Sequence, residues 1–466
     1  MNFRRRVRME VDRNGSKELM NQPTKLLNKN FFLLWQGQTV SKMGTQVFAI
    51  GMVLWVMEAT KSATIMGLIA MVSSIPALIL GPIGGAFADR YSRRGIIVFT
   101  DFLNGLAMLS LAVVVYFFPD QTNFGVAWLF FVSIFAAIVN SFFFPAIQAS
   151  VPDLVPKEKL AGANTLSQFS LQISVLFGQG LGGLLYKFLG APVIFFLNGI
   201  SYFFSAGSEA FITIPQQIDK KKNTWRDKLI AFKNDLLAGF HYIWKKAGLR
   251  ELLLVSTIMN FFITPIIILL PFYVEKCLNV GENYQQWFGY LLAAYGLGNM
   301  LGYFLVNLIK LSGKVRGRLM ITFIIFESSL YGFMGLADNP YLVTGVAILA
   351  GMMNGFTAVN ITIILQLTTP SEIRGRVFGL LATMIGAVTP IAMGLSGFIA
   401  DLINQNYPLI FGLCGMMLAL SSAIVALNKN YRTYLAYEHQ AEPKTENEPG
   451  ITAPPSAVVQ TNESLV

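Results

Sequence analysis

Cysteine and histidine are nearly absent, with two of each in 466 residues. Cys277 and Cys414 lie far apart, each in or beside an apolar run, which argues against a disulfide framework and against a thiolate metal site. His241 falls in a polar central stretch and His439 in the polar tail, so the apolar body holds no imidazole for acid–base catalysis or metal binding. No metal and no cofactor are expected. Charge is scarce as well, at 13% of residues against about 25% in soluble domains, while hydrophobic types reach 54%. That balance argues against a soluble multidomain protein. A G-x-x-x-x-G-K-[ST] phosphate loop is also missing, so the chain shows no ATP engine and any work must come from a gradient.

What the sequence does have is long apolar runs, at roughly 31–57, 66–88, 96–117, 124–147, 164–186, 191–214, 251–275, 286–310, 318–337, 341–365, 377–402 and 407–427. Each is close to the ~20 residues that cross a bilayer as a helix. The expected organisation is a polar front (1–30), a six-helix half (31–214), a basic linker (215–250), a second six-helix half (251–427) and a disordered polar tail (428–466). No cleavable signal peptide is expected ahead of Phe31, and Met20 is an alternative start that would remove the cluster Arg4, Arg5, Arg6 and Arg8.

Twelve crossings put both ends on one side, and positive charge says which. All but four of the 35 Lys and Arg residues fall in the two ends and in alternate connections, including Arg90, Arg93 and Arg94, Lys314, Arg316 and Arg318, and Arg374 and Arg376. Lys61, Lys187 and Lys276 stand on the other side, and Lys42 lies within crossing 1. Both termini are therefore expected in the cytoplasm, with the body in the inner membrane. The net charge of +10 then reports topology, and no nucleic acid is expected. In the linker, Trp225, Leu229, Phe232, Leu236, Phe240 and Ile243 recur at helical spacing among Lys and Arg, the pattern of an interfacial helix on the anionic inner leaflet.

The chain also repeats itself. Shifted by 214 positions, Asn140, Phe142, Ile147, Pro156, Glu158, Leu166, Gly180, Leu181 and Gly183 fall on Asn354, Phe356, Ile361, Pro370, Glu372, Leu380, Gly394, Leu395 and Gly397. Crossings 4 and 5 thus correspond to 10 and 11 in unchanged orientation. Parallel halves of this kind place a substrate site between them, near mid-membrane.

Between crossings 2 and 3 the chain reads Gly85-Ala-Phe-Ala-Asp89-Arg90-Tyr-Ser-Arg93-Arg94. The glycine would allow close helix packing, and the acid with three arginines would form an ion-pair cluster that must rearrange if the halves rock. This loop resembles the signature of the major facilitator superfamily, usually G-x-L-A-D-R-x-G-R-K/R. The fold so implied is an all-α integral membrane protein with 12 transmembrane helices in two parallel six-helix repeats. The resemblance also implies that Asp89 contacts the start of crossing 11 and latches the outward-facing state. Two departures stand out: Ser92 replaces the second glycine, and the equivalent turn after crossing 8 has no matching acid. Asn30 to Gln38, Pro145 to Gln148 and Val151 to Asn164 resemble a branch of proton-driven drug exporters that includes the macrolide efflux proteins and the enterobactin exporter.

Gly178-Gln179-Gly180-Leu-Gly182-Gly183 formally contains G-x-G-x-x-G, but no strand precedes it, and helix packing is the better reading. It also resembles the antiporter motif G-P-x-x-G-G with Gln179 in place of proline, which weakens the argument for export.

A charge at mid-bilayer costs about 2.5–3.5 kcal/mol on insertion scales, so each one needs a reason. Gln38, Ser41, Lys42, Thr45 and Gln46 form one polar face of crossing 1, and Ser256, Asn260 and Thr264 form another on crossing 7. In the superfamily crossings 1, 4, 7 and 10 line the cavity, which makes Gln38, Lys42, Asn140, Asn260 and Asn354 substrate candidates. The asparagines serve equally well as interhelical hydrogen-bonding groups. Glu327 and Asp101 are the proton-coupling candidates. Asp101 has the alternative of pairing with Arg90 or Arg94, and Glu209 reads as snorkelling to the interface. The expected function is proton-coupled export of small amphipathic molecules, drug-like or siderophore, by a monomer in the bilayer. The rivals are uptake or lipid flipping on the same fold, or a transport-inactive scaffold or sensor. A membrane enzyme lacks any supporting constellation.

Overall fold

The computed structural model describes residues 25–216, 225–309 and 311–437. The expectations for the Arg cluster, for Met20 and for the tail beyond Tyr437 lie outside these residues. The helices in order are α1 (Lys29–Thr60), α2 (Ala63–Arg90), α3 (Arg93–Phe117), α4 (Thr122–Leu154), α5 (Leu160–Glu209), α6 (Trp225–Lys245), α7 (Leu249–Lys276), α8 (Tyr284–Leu308), α9 (Gly313–Met334), α10 (Pro340–Thr368), α11 (Ser371–Leu402), α12 (Tyr407–Leu427) and α13 (Lys429–Leu435). Among the described residues there is no strand.

Ten of these helices are long and apolar enough to cross a bilayer. One of them, α5, is two crossings joined at Gly190, whose φ of 73° is left-handed and strains any other residue, with Pro192 just beyond. Its arms run oppositely along α1: Gly178 and Gly182 approach Gln46 and Ile50, whereas Ile194, Ser201 and Ser205 approach Gly51, Gly44 and Gly37. The less apolar α9, with Lys314, Arg316 and Arg318 at its start, packs against α10 and α12 and completes the twelve. Phe188, Phe211, Leu336 and Leu427 are among many large apolar side chains left exposed. A soluble chain would bury such a surface, and its exposure fits helices long and apolar enough to cross a membrane.

Side chains set the helix ends. Asn28 caps α1 by accepting from the Phe31 amide at 3.0 Å, and Ser62 caps α2 by accepting from Ile65 at 3.3 Å. Ser92, the departure from the signature loop, caps α3 by accepting from Gly95 at 3.2 Å, and its φ of −58° needs no glycine. Residues 429–435, expected as part of a disordered tail, instead form α13, because Tyr431, Tyr434 and Leu435 are buried against the second half.

The repeat is visible in packing. In the first half α2 lies on α4 and α3 on the second arm of α5; in the second half α8 lies on α10 and α9 on α12. The seam between halves is likewise paired, α5 against α8 and α2 against α11. Repeat-equivalent glycines allow it. A Cβ on Gly183 would sit 1.9 Å from the Gln285 carbonyl oxygen, and one on Gly397 would sit 2.1 Å from that of Ala63. Helix α6 lies across the seam at the basic end, touching α2, α7 and α11.

Candidate functional site

The polar groups of the second half converge on Glu327. Its carboxylate is 4% exposed and accepts hydrogen bonds from the Tyr331 hydroxyl at 2.7 Å and from Asn354 Nδ2 at 3.1 Å. The Tyr295 hydroxyl lies 3.2 Å from that of Tyr331 and can donate to it, since Tyr331 gives its own proton to Glu327. Together with Ser256 and Asn260 these residues border a cavity of about 320 Å³. Thr389 of α11 donates to Asn260 Oδ1 at 2.7 Å and so fixes the amide at the cavity edge. Three sequence candidates, Asn260, Glu327 and Asn354, therefore share one site. Tyr295, Tyr331 and Thr389 were not anticipated, although Tyr331 stands one turn from Glu327, a spacing that brings side chains together on a helix.

The first half has a cavity of about 440 Å³ on the repeat-equivalent helices α1, α4 and α5, lined by Gln38, Lys42, Gln148, Asn164, Ser167 and Gln168. Asn140 does not line it and accepts instead from Asn104 Nδ2 at 3.1 Å. The repeat-equivalent asparagines thus both bind across to their neighbour helix, Asn140 to Asn104 on α3 and Asn354 to Glu327 on α9.

Asp101 and Glu209 depart from expectation. Asp101 is fully buried and makes no ion pair among the described residues, so the pairing with Arg90 or Arg94 does not form. Glu209 does not snorkel: it too is fully buried, accepting from Gln38 Nε2 at 2.7 Å, because the second arm of α5 packs this face against α1 and α3.

The arginines Arg93 and Arg94 of the signature loop bind within the first half. Arg93 pairs with Asp153 of α4, donates to the Ala149 carbonyl at 2.8 Å and lies 4.0 Å from Asp89. Arg94 donates to the Ala210 carbonyl, and the Arg93 amide to Gln216 Oε1 at 2.9 Å. Gly85, expected to permit close packing, has no atom within 4 Å of its Cβ position. The tight approach belongs to Gly84, where a Cβ would sit 1.9 Å from the Ser141 carbonyl oxygen on α4. Arg376, at the start of α11, pairs with Asp235 of α6 at 2.8 Å.

Among the described residues, a set of polar contacts joins the halves at the end opposite these arginines. Asp401 of α11 accepts from Ser62 Oγ and the Thr64 amide, both at 2.8 Å, and from the Ala63 amide at 3.3 Å. It is an anion supplied by one half to the N-terminus of a helix in the other. Glu58 of α1 accepts from the Tyr186 hydroxyl at 2.5 Å, from Gln285 Nε2 at 3.1 Å and from the Tyr284 hydroxyl. Lys187 Nζ donates to Asn283 Oδ1 at 2.5 Å.

A family model described as transmembrane secretion effector matches residues 23–451. Macrolide efflux protein A of Streptococcus pyogenes is 24% identical over 383 residues, 81% of this chain and 91% of the relative. The multidrug efflux pump Tap of Mycolicibacterium fortuitum is 22% identical, covering 74% and 83%. Among solved structures, the nucleoside transporter NupG superposes with a TM-score of 0.65 at 13% identity, over 88% of this chain and 99% of that one. A bacterial homologue of the human lysosomal transporter Spinster, inward-facing and occupied, gives 0.60 at 15% identity, over 87% and 92%.

Proposed function

The chain belongs to the transmembrane secretion effectors of the major facilitator superfamily, and from that premise we propose that it exports small amphipathic molecules, drug-like compounds or siderophores, in exchange for protons. It is an integral membrane transporter and not an enzyme. The macrolide and multidrug pumps among its relatives support outward transport and a cargo of that chemical class. The excess of Lys and Arg at one end supports a cytoplasmic placement of that end and of both termini, in the inner membrane.

The observation that carries the reading is the asymmetry of the seam. Asp401, Glu58 and Lys187 tie the halves together at the far end, while both polar cavities are set in repeat-equivalent helices, the first in the basic-end part of α1. With the basic end in the cytoplasm, these ties describe a transporter held closed on its outer side. By the family resemblance Asp89 acts at the start of α11, the region where Arg376 pairs with Asp235 of α6.

Glu327 is the proton-coupling residue of the second half in this account. It is buried with two neutral donors and no cation among its hydrogen-bond partners, so its charge state is decided by access to a proton. Cargo in the same cavity would compete with that proton. In proteoliposomes with a pH gradient, Glu327→Gln is expected to abolish uphill transport and retain downhill exchange. Unchanged pH dependence would remove Glu327 from the coupling path.

A further inference from the structure

The first half holds two buried carboxyls that the cavity description leaves unused. Asp101 of α3 and Glu209 of α5 are both 0% exposed. They lie within hydrogen-bonding reach of each other. Yet neither Asp101 oxygen nor Glu209 Oε2 has a well-formed hydrogen bond among the described residues, Ser205 being the one hydroxyl beside both, while Glu209 Oε1 accepts from Gln38 Nε2 at 2.7 Å. Orphaned acceptors at such depth are costly. Two adjacent carboxylates cannot both carry charge there, and a single proton between them turns one into a donor for the other.

Charge balance gives the same count. The charged or titratable groups facing the pair are Lys42 of α1, which feels the Glu209 charge, and Tyr202 of α5, whose hydroxyl lies 3.1 Å from that of Thr45. Ser205, beside both acids, is neutral, and Asn104, one turn on from Asp101, donates to Asn140 of α4. One lysine against two acids leaves one carboxyl to be neutralised by a proton. A bound metal cation would want acceptors around it, whereas Gln38 presents an N–H.

We propose that Asp101 and Glu209 share one proton and form a second proton-binding site, in the first half of the molecule, that communicates with the cavity through Gln38 and Lys42. Gln38 is the link, since it holds Glu209 and also lines the cavity beside Lys42. When the proton leaves, the carboxylate left behind faces Lys42 and draws its ammonium away from the cavity. Proton loss and cargo contact are thereby joined at one side chain. The coupling role rests on the transport reading above; the bound proton does not.

Two readouts separate those parts. In purified full-length protein in nanodiscs, infrared difference spectra over a pH titration report the C=O stretch of neutral carboxylic acids. The wild type at neutral pH should show such a band, removed by Asp101→Asn and by Glu209→Gln separately and kept in Glu327→Gln with respect to this component. In a Glu327→Gln background, a band that survives both first-half substitutions overturns the site. So does one that falls when sodium replaces choline in the buffer, which would assign a metal cation instead. The amide in Asp101→Asn can itself donate to Glu209, which favours folding, and the wild-type titration needs no variant at all. In proteoliposomes, Asp101→Asn should lower accumulation about tenfold for a gradient of about one pH unit per coupled proton, with downhill exchange kept. Unchanged accumulation in Asp101→Asn beside a loss in Glu327→Gln overturns the coupling role and leaves the transport reading standing. No gradient-driven transport by the wild type overturns that reading, while the infrared result still decides the proton site.

Discussion

Asp401 closes the far end of the seam by capping a helix it does not belong to. Four donors converge on it: Ser62 Oγ, the amides of Ala63 and Thr64, and Gln405 Nε2 at 2.8 Å. Losing an N-terminal cap costs about 1 kcal/mol, enough to change a two-state population roughly fivefold. Asp401→Ala should therefore shift the molecule toward the far-end-open state. Spin labels at Lys187 and Asn283, whose side chains meet at 2.5 Å, should report a larger share of long distances; an unaltered distribution would make the cap irrelevant to gating. At the cavity, Lys42→Ala should change the range or affinity of cargo without loss of membrane insertion, and an identical profile across a substrate panel would confine Lys42 to a structural role. The polar face holding Gln38 and Lys42 was legible in the sequence because helical spacing alone aligns it. Glu209 was not, because its position near a helix end suggests snorkelling and only the packing of α5 on α1 and α3 shows the side chain enclosed. Gly84 and Gly85 illustrate the same limit: adjacent glycines point in different directions, and composition does not say which one meets α4.

Among the elements, α5 is the hinge between packing within a half and packing across halves. Gly178 and Gly182 face α1, while Gly180 and Gly183 face α8. The run Gly178 to Gly183 is thus two interleaved faces, each admitting a different backbone, as small residues do in membrane helix pairs. Gly183→Val would place carbon where the Gln285 carbonyl now lies and should force α5 from α8. The expected result is a bundle open at the far end, with transport lost and with a cysteine at Lys187 labelled faster by impermeant reagents from outside. Wild-type labelling in an inserted, inactive Gly183→Val protein would contradict this. The twelve apolar runs and their 214-residue repeat were readable because bilayer thickness imposes helix length and because the halves pack alike. The caps at Asn28, Ser62 and Ser92 and the small helix α13 were not, since they depend on local hydrogen bonds and on the burial of Tyr431, Tyr434 and Leu435.

For the whole molecule, two pseudo-equivalent halves meet along two pseudo-equivalent seams, α2 with α11 and α5 with α8. Their chemistry has diverged. The second half pairs its repeat asparagine with Glu327 beside the cavity, whereas the first pairs Asn140 with Asn104 and keeps its acids in a separate buried pair. On the proposed reading each half has its own protonatable group, while the described polar contacts of Asp401, Glu58 and Lys187 join the halves at the far end. The central claim is gradient-driven export by alternating access, and its most direct test is accumulation of macrolides, dyes and iron chelators in efflux-deficient cells. Cells expressing the wild type should accumulate less of at least one compound, and that difference should vanish with a protonophore and with Asp89→Asn at equal membrane abundance. Higher accumulation in wild-type cells, or a difference that persists in the protonophore, would contradict the account.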